Sequence, residues 1–274
     1  MSTNVMVAAV VFFVLALVLG LLILIDCIRY RKAIKLKYGM LLAAILVALD
    51  CSLLLLLPGG ALGITVGLLI PLQVVVYVRT MLVACMGMYC CSVLGIPDLP
   101  LVKRLFGRSE ARQRVPAGPY VLVPLAVTAG AVLFSYVLFT VTQPEMSETL
   151  KRMSGLDSLK AGAATEPTLL VAVFVLVFAY GEEVIYRLGV QNYLAMKLKL
   201  SGRGYWVAVV LTAALWTLGH VGTLEPWWVK LVQVFPLGLA LGFMFKRFGL
   251  EACVLVHGAF NVVMMLLAPS LFGS

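Results

Sequence analysis

Glu182 and Glu183 stand side by side in an otherwise apolar run, and Arg187 follows one helical turn later. The chain has two histidines, His220 and His257, and each lies in a further apolar run. His257 is four residues ahead of Asn261, and Trp216 is four residues ahead of His220. Residues four apart share one face of a helix. Glu183 is therefore placed to pair with Arg187, Glu182 lies near Tyr186, and His257 and Asn261 can face one cavity. An Arg–carboxylate pair in low dielectric holds one Glu ionised and leaves the other for different work. Burying ionised side chains in lipid costs roughly 2.5–3.5 kcal/mol each on insertion scales, so such groups face a cavity or each other. The most economical arrangement is one shared polar site inside a helical bundle.

Glu, two His and Asn make a competent hydrolytic set. A carboxylate takes a proton from water, an imidazole orients that water, and Asn or His donates to a developing oxyanion. Glu182, His220 and His257 could equally ligate zinc and leave one position open for water. The residue types leave both arrangements open, so the cofactor is either zinc or none. Glu183 with Arg187 suits a helix-stabilising ion pair as well as a direct part in the chemistry.

The pattern EExxxR at 182–187, the aromatic-xxx-His from Trp216 to His220, and HxxxN from His257 to Asn261 resemble the CAAX-protease and bacteriocin-processing family of intramembrane proteases, also called the Abi family. The resemblance covers roughly residues 168–268. It implies a helical membrane fold and hydrolysis of a peptide bond within the bilayer. By motif position it makes Glu182 the general base, with His220 sharing its water. His257 and Asn261 would stabilise the oxyanion, and Glu183 and Arg187 would shape the site. Two departures stand out: Trp216 replaces the more usual Phe, and Leu188 follows the Arg where many members have Gly. Neither removes a catalytic group. The implied partner is a membrane-associated protein or peptide, and the implied surroundings are the lipid bilayer. A rival of another class is a transporter or proton-translocating protein, which also needs intramembrane Glu, His and Arg. Such folds often show inverted repeats, and the sequence contains none.

The elements that must position these residues are legible in composition. Hydrophobic residues make up 63% of the 274 and charged residues 12%, with a mean hydropathy of +1.08. Apolar runs of about 20 residues, enough to cross a bilayer, recur from end to end. The expected fold is all-α, a polytopic membrane bundle of about eight helices near 5–25, 40–57, 63–94, 119–141, 168–190, 205–224, 227–247 and 250–268. The third run is long enough to bend at Pro71. Residues 1–118 read as N-terminal helices with basic loops, and 119–274 as the protease-like core.

The net charge of +9 resides largely in loops: Arg29, Arg31, Lys32, Lys35 and Lys37 in one, and Lys103, Arg104, Arg108, Arg112 and Arg114 in another. Such loops lie on the cytoplasmic side. The pattern predicts a multi-pass protein of a prokaryotic cytoplasmic membrane, with a retained first helix and both termini outside. The clusters lack the run of aromatic residues that a single-strand platform needs, so nucleic-acid binding is not expected. The six cysteines form no CxxC pair and read as small buried hydrophobes. Asp50 and Arg79 are expected to form a structural ion pair, and Lys230 to snorkel to the outer interface. Counting along the helices puts His220 nearer the outside than Glu182 and His257, unless the chain breaks near Gly219 and Gly222. Oligomeric state and substrate identity are not encoded legibly.

Overall fold

The computed structural model describes residues 3–56, 62–105, 117–147 and 169–272. In lipid every backbone polar group must be satisfied internally, and the chain answers with helices: α1 (Thr3–Arg29), α2 (Leu36–Leu56), α3 (Leu62–Leu94), a short α4 (Pro100–Leu105) and α5 (Ala117–Thr142). α6 (Leu169–Glu182) runs on through a π-helical segment (Glu183–Gln191) into α7 (Asn192–Lys197). Then come α8 (Tyr205–Leu218), α9 (Trp228–Phe248) and α10 (Leu250–Phe272). Among the described residues the β-structure is a two-residue antiparallel ladder, β1 (Glu145–Met146) on β2 (Leu224–Glu225).

Among the described residues five helices are long and apolar enough to cross a membrane: Thr3–Arg29, Val74–Leu94, Gly118–Thr142, Trp228–Phe248 and Leu250–Ala268. Eight were expected, and the shortfall has local causes. α8 stops at Leu218 rather than near residue 224, and its 14 residues reach about 21 Å at 1.5 Å per residue. The run at 168–190 is α-helical only to Glu182 before the π-helical segment takes over. α2 extends into residues 51–56, and the side chains of residues 51–73, Pro71 among them, lie outside the described ones, as do Arg108, Arg112 and Arg114.

Burial sorts the helices into core and perimeter. α1 and α5 present apolar side chains outward, Phe13, Leu17, Leu122 and Val141 among them, as lipid-facing helices should. The core is formed where α3, the π-helical segment, α8, α9 and α10 meet, with Val184, Leu188, Trp216, Leu241 and Phe245 buried. Val83, Met86 and Cys90 of α3 pack with Val190 and Tyr193 in an adjoining cluster. Cys27, Cys85, Cys90, Cys91 and Cys253 are free and buried, as small hydrophobes are.

The π-helical segment is held by a buried polar network. A wider turn shifts the backbone hydrogen bonds and leaves carbonyls seeking donors. The Asn192 amide donates to the Arg187 and Leu188 carbonyls, each at 2.9 Å. Its own oxygen accepts from the Tyr205 hydroxyl at 2.7 Å, and that hydroxyl accepts from Gln191 at 2.8 Å.

Three fastenings set the ends of the bundle. Asp26 of α1 is buried and bonds the Tyr193 hydroxyl at 2.8 Å and the Lys197 ammonium at 2.5 Å. Glu251 accepts the N–H groups of Leu101 and Val102 at 3.0 and 3.1 Å, tying α4 to α10. The β1–β2 ladder, extended by Ser147 N–H to the Thr223 carbonyl at 3.1 Å, ties the end of α5 to the turn after α8. Asp50 does not pair with Arg79 among the described residues; it accepts from the Tyr77 hydroxyl at 2.8 Å.

Candidate active site

Glu182 is the last residue of α6 and Glu183 the first of the π-helical segment. Neighbouring residues on a helix point in different directions, and here each carboxylate has its own set of partners. Glu183 is fully buried, with His257 Nδ1 at 2.8 Å from one oxygen and Arg187 Nε at 3.5 Å from the other. Glu182 retains 26% side-chain exposure and accepts the Trp216 indole N–H at 2.7 Å. Its oxygens lie 3.9 Å from His220 Nε2 and 3.9 Å from His257 Nε2.

Each ring is oriented by its other nitrogen. His220 Nδ1 is 2.9 Å from the Trp216 carbonyl. A carbonyl only accepts, so Nδ1 carries the proton and a neutral ring turns a lone pair at Nε2 toward Glu182. The carboxylate of Glu183 fixes a proton on His257 Nδ1 in the same way. Both Nε2 atoms therefore face Glu182 across gaps too long for a direct hydrogen bond and suited to a bridging water.

Trp216 is the hub of the cluster. Its ring contacts His220 and His257 edge-on, with centroids 5.0 and 5.2 Å away. The Arg187 guanidinium lies 4.3 Å above it. Buried Arg187 thus meets a carboxylate and an aromatic face together. α9 comes close behind the indole at Gly238, where a Cβ would lie 3.2 Å from the ring. α8 ends at Leu218, so His220 sits in the following turn, which Gly222 continues at φ 82°. That break lets His220 drop toward Glu182 and removes the depth mismatch expected from a continuous span.

The structure therefore brings Glu182, Glu183, Arg187, Trp216, His220 and His257 into one cluster. Tyr186 packs at the edge of both apolar clusters. Asn261 is half-buried one turn beyond His257 and makes no hydrogen bond among the described residues. Among the described residues no group of three or more His, Cys, Asp and Glu is arranged to hold a metal ion. The Trp216 bond to one Glu182 oxygen and the Glu183 contact at His257 Nδ1 leave both Nε2 atoms and the other Glu182 oxygen facing one another. Lys230 is half-buried in the first turn of α9 and donates to Gln233 at 2.9 Å.

Residues 164–263 match the family model Type II CAAX prenyl endopeptidase Rce1-like. The matched stretch contains every residue of the cluster, and it supports protease-like enzymatic activity at the family level. No curated protein and no solved structure matches the chain.

Proposed function

We propose that this protein is an intramembrane endopeptidase that hydrolyses a peptide bond of a membrane-associated or lipid-modified protein or peptide. The observation that carries the reading is a half-buried carboxylate, Glu182, flanked at 3.9 Å by two imidazole nitrogens within the stretch matched to a prenyl-protein endopeptidase family. Water held between Glu182 and His220 gives a proton to Glu182 as its oxygen attacks the scissile carbonyl. The protonated Glu182 then delivers that proton to the leaving amine. His257, oriented by Glu183 at Nδ1, and the Asn261 amide face the oxyanion. Arg187 fixes Glu183.

The same reading includes eight crossings, with α2, the α6–α7 run and α8 added to the five long apolar helices. It places the basic loops on the cytoplasmic side of a prokaryotic membrane, both termini outside, and the catalytic core from residue 119 onward. Lys/Arg placement supports this orientation.

The test uses purified protein in proteoliposomes with a prenylated, membrane-tethered peptide. Glu182→Gln keeps shape and hydrogen bonding but cannot take the proton, so turnover should fall by about 10²–10⁴-fold. Chelator treatment should leave wild-type turnover intact. Full activity of the Gln variant would refute the hydrolase reading and favour a transporter.

A further inference from the structure

α5 and α9 pack side by side, and a cavity of about 240 Å³ lies between them. Gln233, Pro236 and Ala240 of α9 line it, at spacings that share one helix face. Ala126, Gly130 and Phe134 of α5, again four residues apart, form the opposite wall. A Cβ added at Gly130 meets nothing within 4 Å. Ala126, Gly130 and Phe134 are all exposed, so the cavity opens toward the lipid-facing side of α5. The Glu182 cluster lies beyond α9, whose Gly238 meets Ala213 and Trp216 of α8.

A polar side chain is set in this apolar lining. Gln233 is 3% exposed, and its Oε1 accepts from the Lys230 ammonium at 2.9 Å. An ammonium only donates, so that contact fixes which limb of the amide is oxygen. The other limb, the NH₂, donates to no group among the described residues. A buried donor without an acceptor is costly, so the site favours an occupant that brings one. Water suits it poorly, because a buried water needs about two to four polar partners and the lining offers one amide. The walls call for an apolar chain with an acceptor at its end.

Depth narrows the identity of that chain. Trp228 opens α9 and is 42% exposed, and exposed tryptophans sit at headgroup level. Gln233 lies about 7.5 Å further along the helix, where the interfacial layer gives way to hydrocarbon. The ester carbonyls of a phospholipid lie at that boundary. The β1–β2 ladder joins the end of α5 to the turn before α9, so both walls run inward from the same side. The cavity continues to Ala240, about 10 Å deeper. A prenyl chain, linked through a thioether, brings only the weak acceptor of a sulfur.

We propose that the α5–α9 cavity holds an acyl chain of a glycerophospholipid, with the Gln233 amide donating to its ester carbonyl. This lipid site is separate from the peptide site and does not depend on the endopeptidase reading.

The test compares two lipids that differ at that carbonyl. Full-length protein is purified in detergent, stripped of lipid, and melted against increasing diacyl phosphatidylglycerol or its diether counterpart. A ligand of the folded state raises the melting temperature. Wild type should bind the diacyl lipid about 3–10-fold more tightly, the margin of one net hydrogen bond. Equal affinity would overturn the role of Gln233. Gln233→Leu should bind both lipids equally, and a retained preference for the diacyl lipid would overturn the assignment. Gly130→Leu fills the cavity where a Cβ has room. It should melt near wild type without lipid and lose most of the lipid-dependent rise. An undiminished rise would place the lipid elsewhere and overturn the proposal. This variant carries the test if Gln233→Leu does not accumulate. Displacement of the diacyl lipid by the prenylated peptide would make the cavity a substrate groove. A dimer lost on Gly130→Leu would make it an interface between copies. Either result overturns the proposal. A protein that cleaves no peptide yet keeps the ester preference would sink the protease reading and leave the lipid site standing.

Discussion

The indole of Trp216 does two separable things: its N–H bonds Glu182, and its ring supports Arg187 and both imidazoles. Trp216→Phe removes the first and keeps most of the second. A hydrogen bond to a charged group contributes about 1.5–3 kcal/mol. The Phe variant should therefore accumulate normally and lose about 10–100-fold in kcat in a proteoliposome assay. Asn261 permits a complementary experiment, because it makes no hydrogen bond among the described residues. Asn261→Ala should leave the melting temperature unchanged and lower kcat by about 10²–10³-fold if its amide meets the oxyanion. Equal loss of stability and activity would assign it to the fold instead. Arg187→Lys should fail on both counts, since an ammonium on a flexible stem cannot stack on Trp216 and face Glu183 as a planar guanidinium does. Melting and turnover of that variant, compared with wild type, check it.

At the scale of the element, the π-helical segment decides where Glu183 and Arg187 point. π-type turns are uncommon and concentrate at functional sites. Here the wider turn begins one residue after Glu182, so adjacent glutamates serve different partners. Asn192 closes the segment by donating to two carbonyls. Asn192→Leu leaves both without that donor and Tyr205 without its acceptor. Unmade buried hydrogen bonds cost about 1–3 kcal/mol each, so the variant should melt well below wild type. Its kcat should also fall, while the peptide's KM changes little, because the affected element positions Glu183 rather than substrate. An unaltered melting temperature would show that the network does not hold the segment.

For the whole molecule, the decisive contacts join distant parts of the chain. Asp26 on the first helix meets Tyr193 and Lys197, so α1 is fastened to the helix that carries the paired glutamates. Lys197 is 36% exposed, and solvent screening lowers what its charge adds. Asp26→Ala should destabilise by about 1–3 kcal/mol, less than the ~3–5 kcal/mol of a fully buried pair because Lys197 is screened. Thermal melting should detect it, and Asp26→Ala with Lys197→Ala should cost little more than the single change. At the other end, β1 and β2 hold the His220 turn against the end of α5, so that this turn is anchored from both sides.

By itself the sequence determined the helical membrane class and the residues that gather at the site. Long apolar runs leave helices as the economical solution in lipid, and isolated Glu, Arg and His in those runs must find one another. It also made Glu183 and Arg187 partners, through a spacing that holds in any helical turn. Tertiary structure decided the rest. The turn after α8 is fastened by the β1–β2 ladder, and a count of apolar residues carries no information about such contacts. The π-helical turn depends on Asn192, Tyr205 and Gln191 meeting across two helices. Asp50 turned to Tyr77 because that hydroxyl is a nearer polar partner in space than the Arg79 suggested along the chain. Local spacing fixes which residues share a face. Only packing fixes which faces meet, because a buried charge is stabilised by whatever opposite charge or dipole the neighbouring helices bring within a few ångströms.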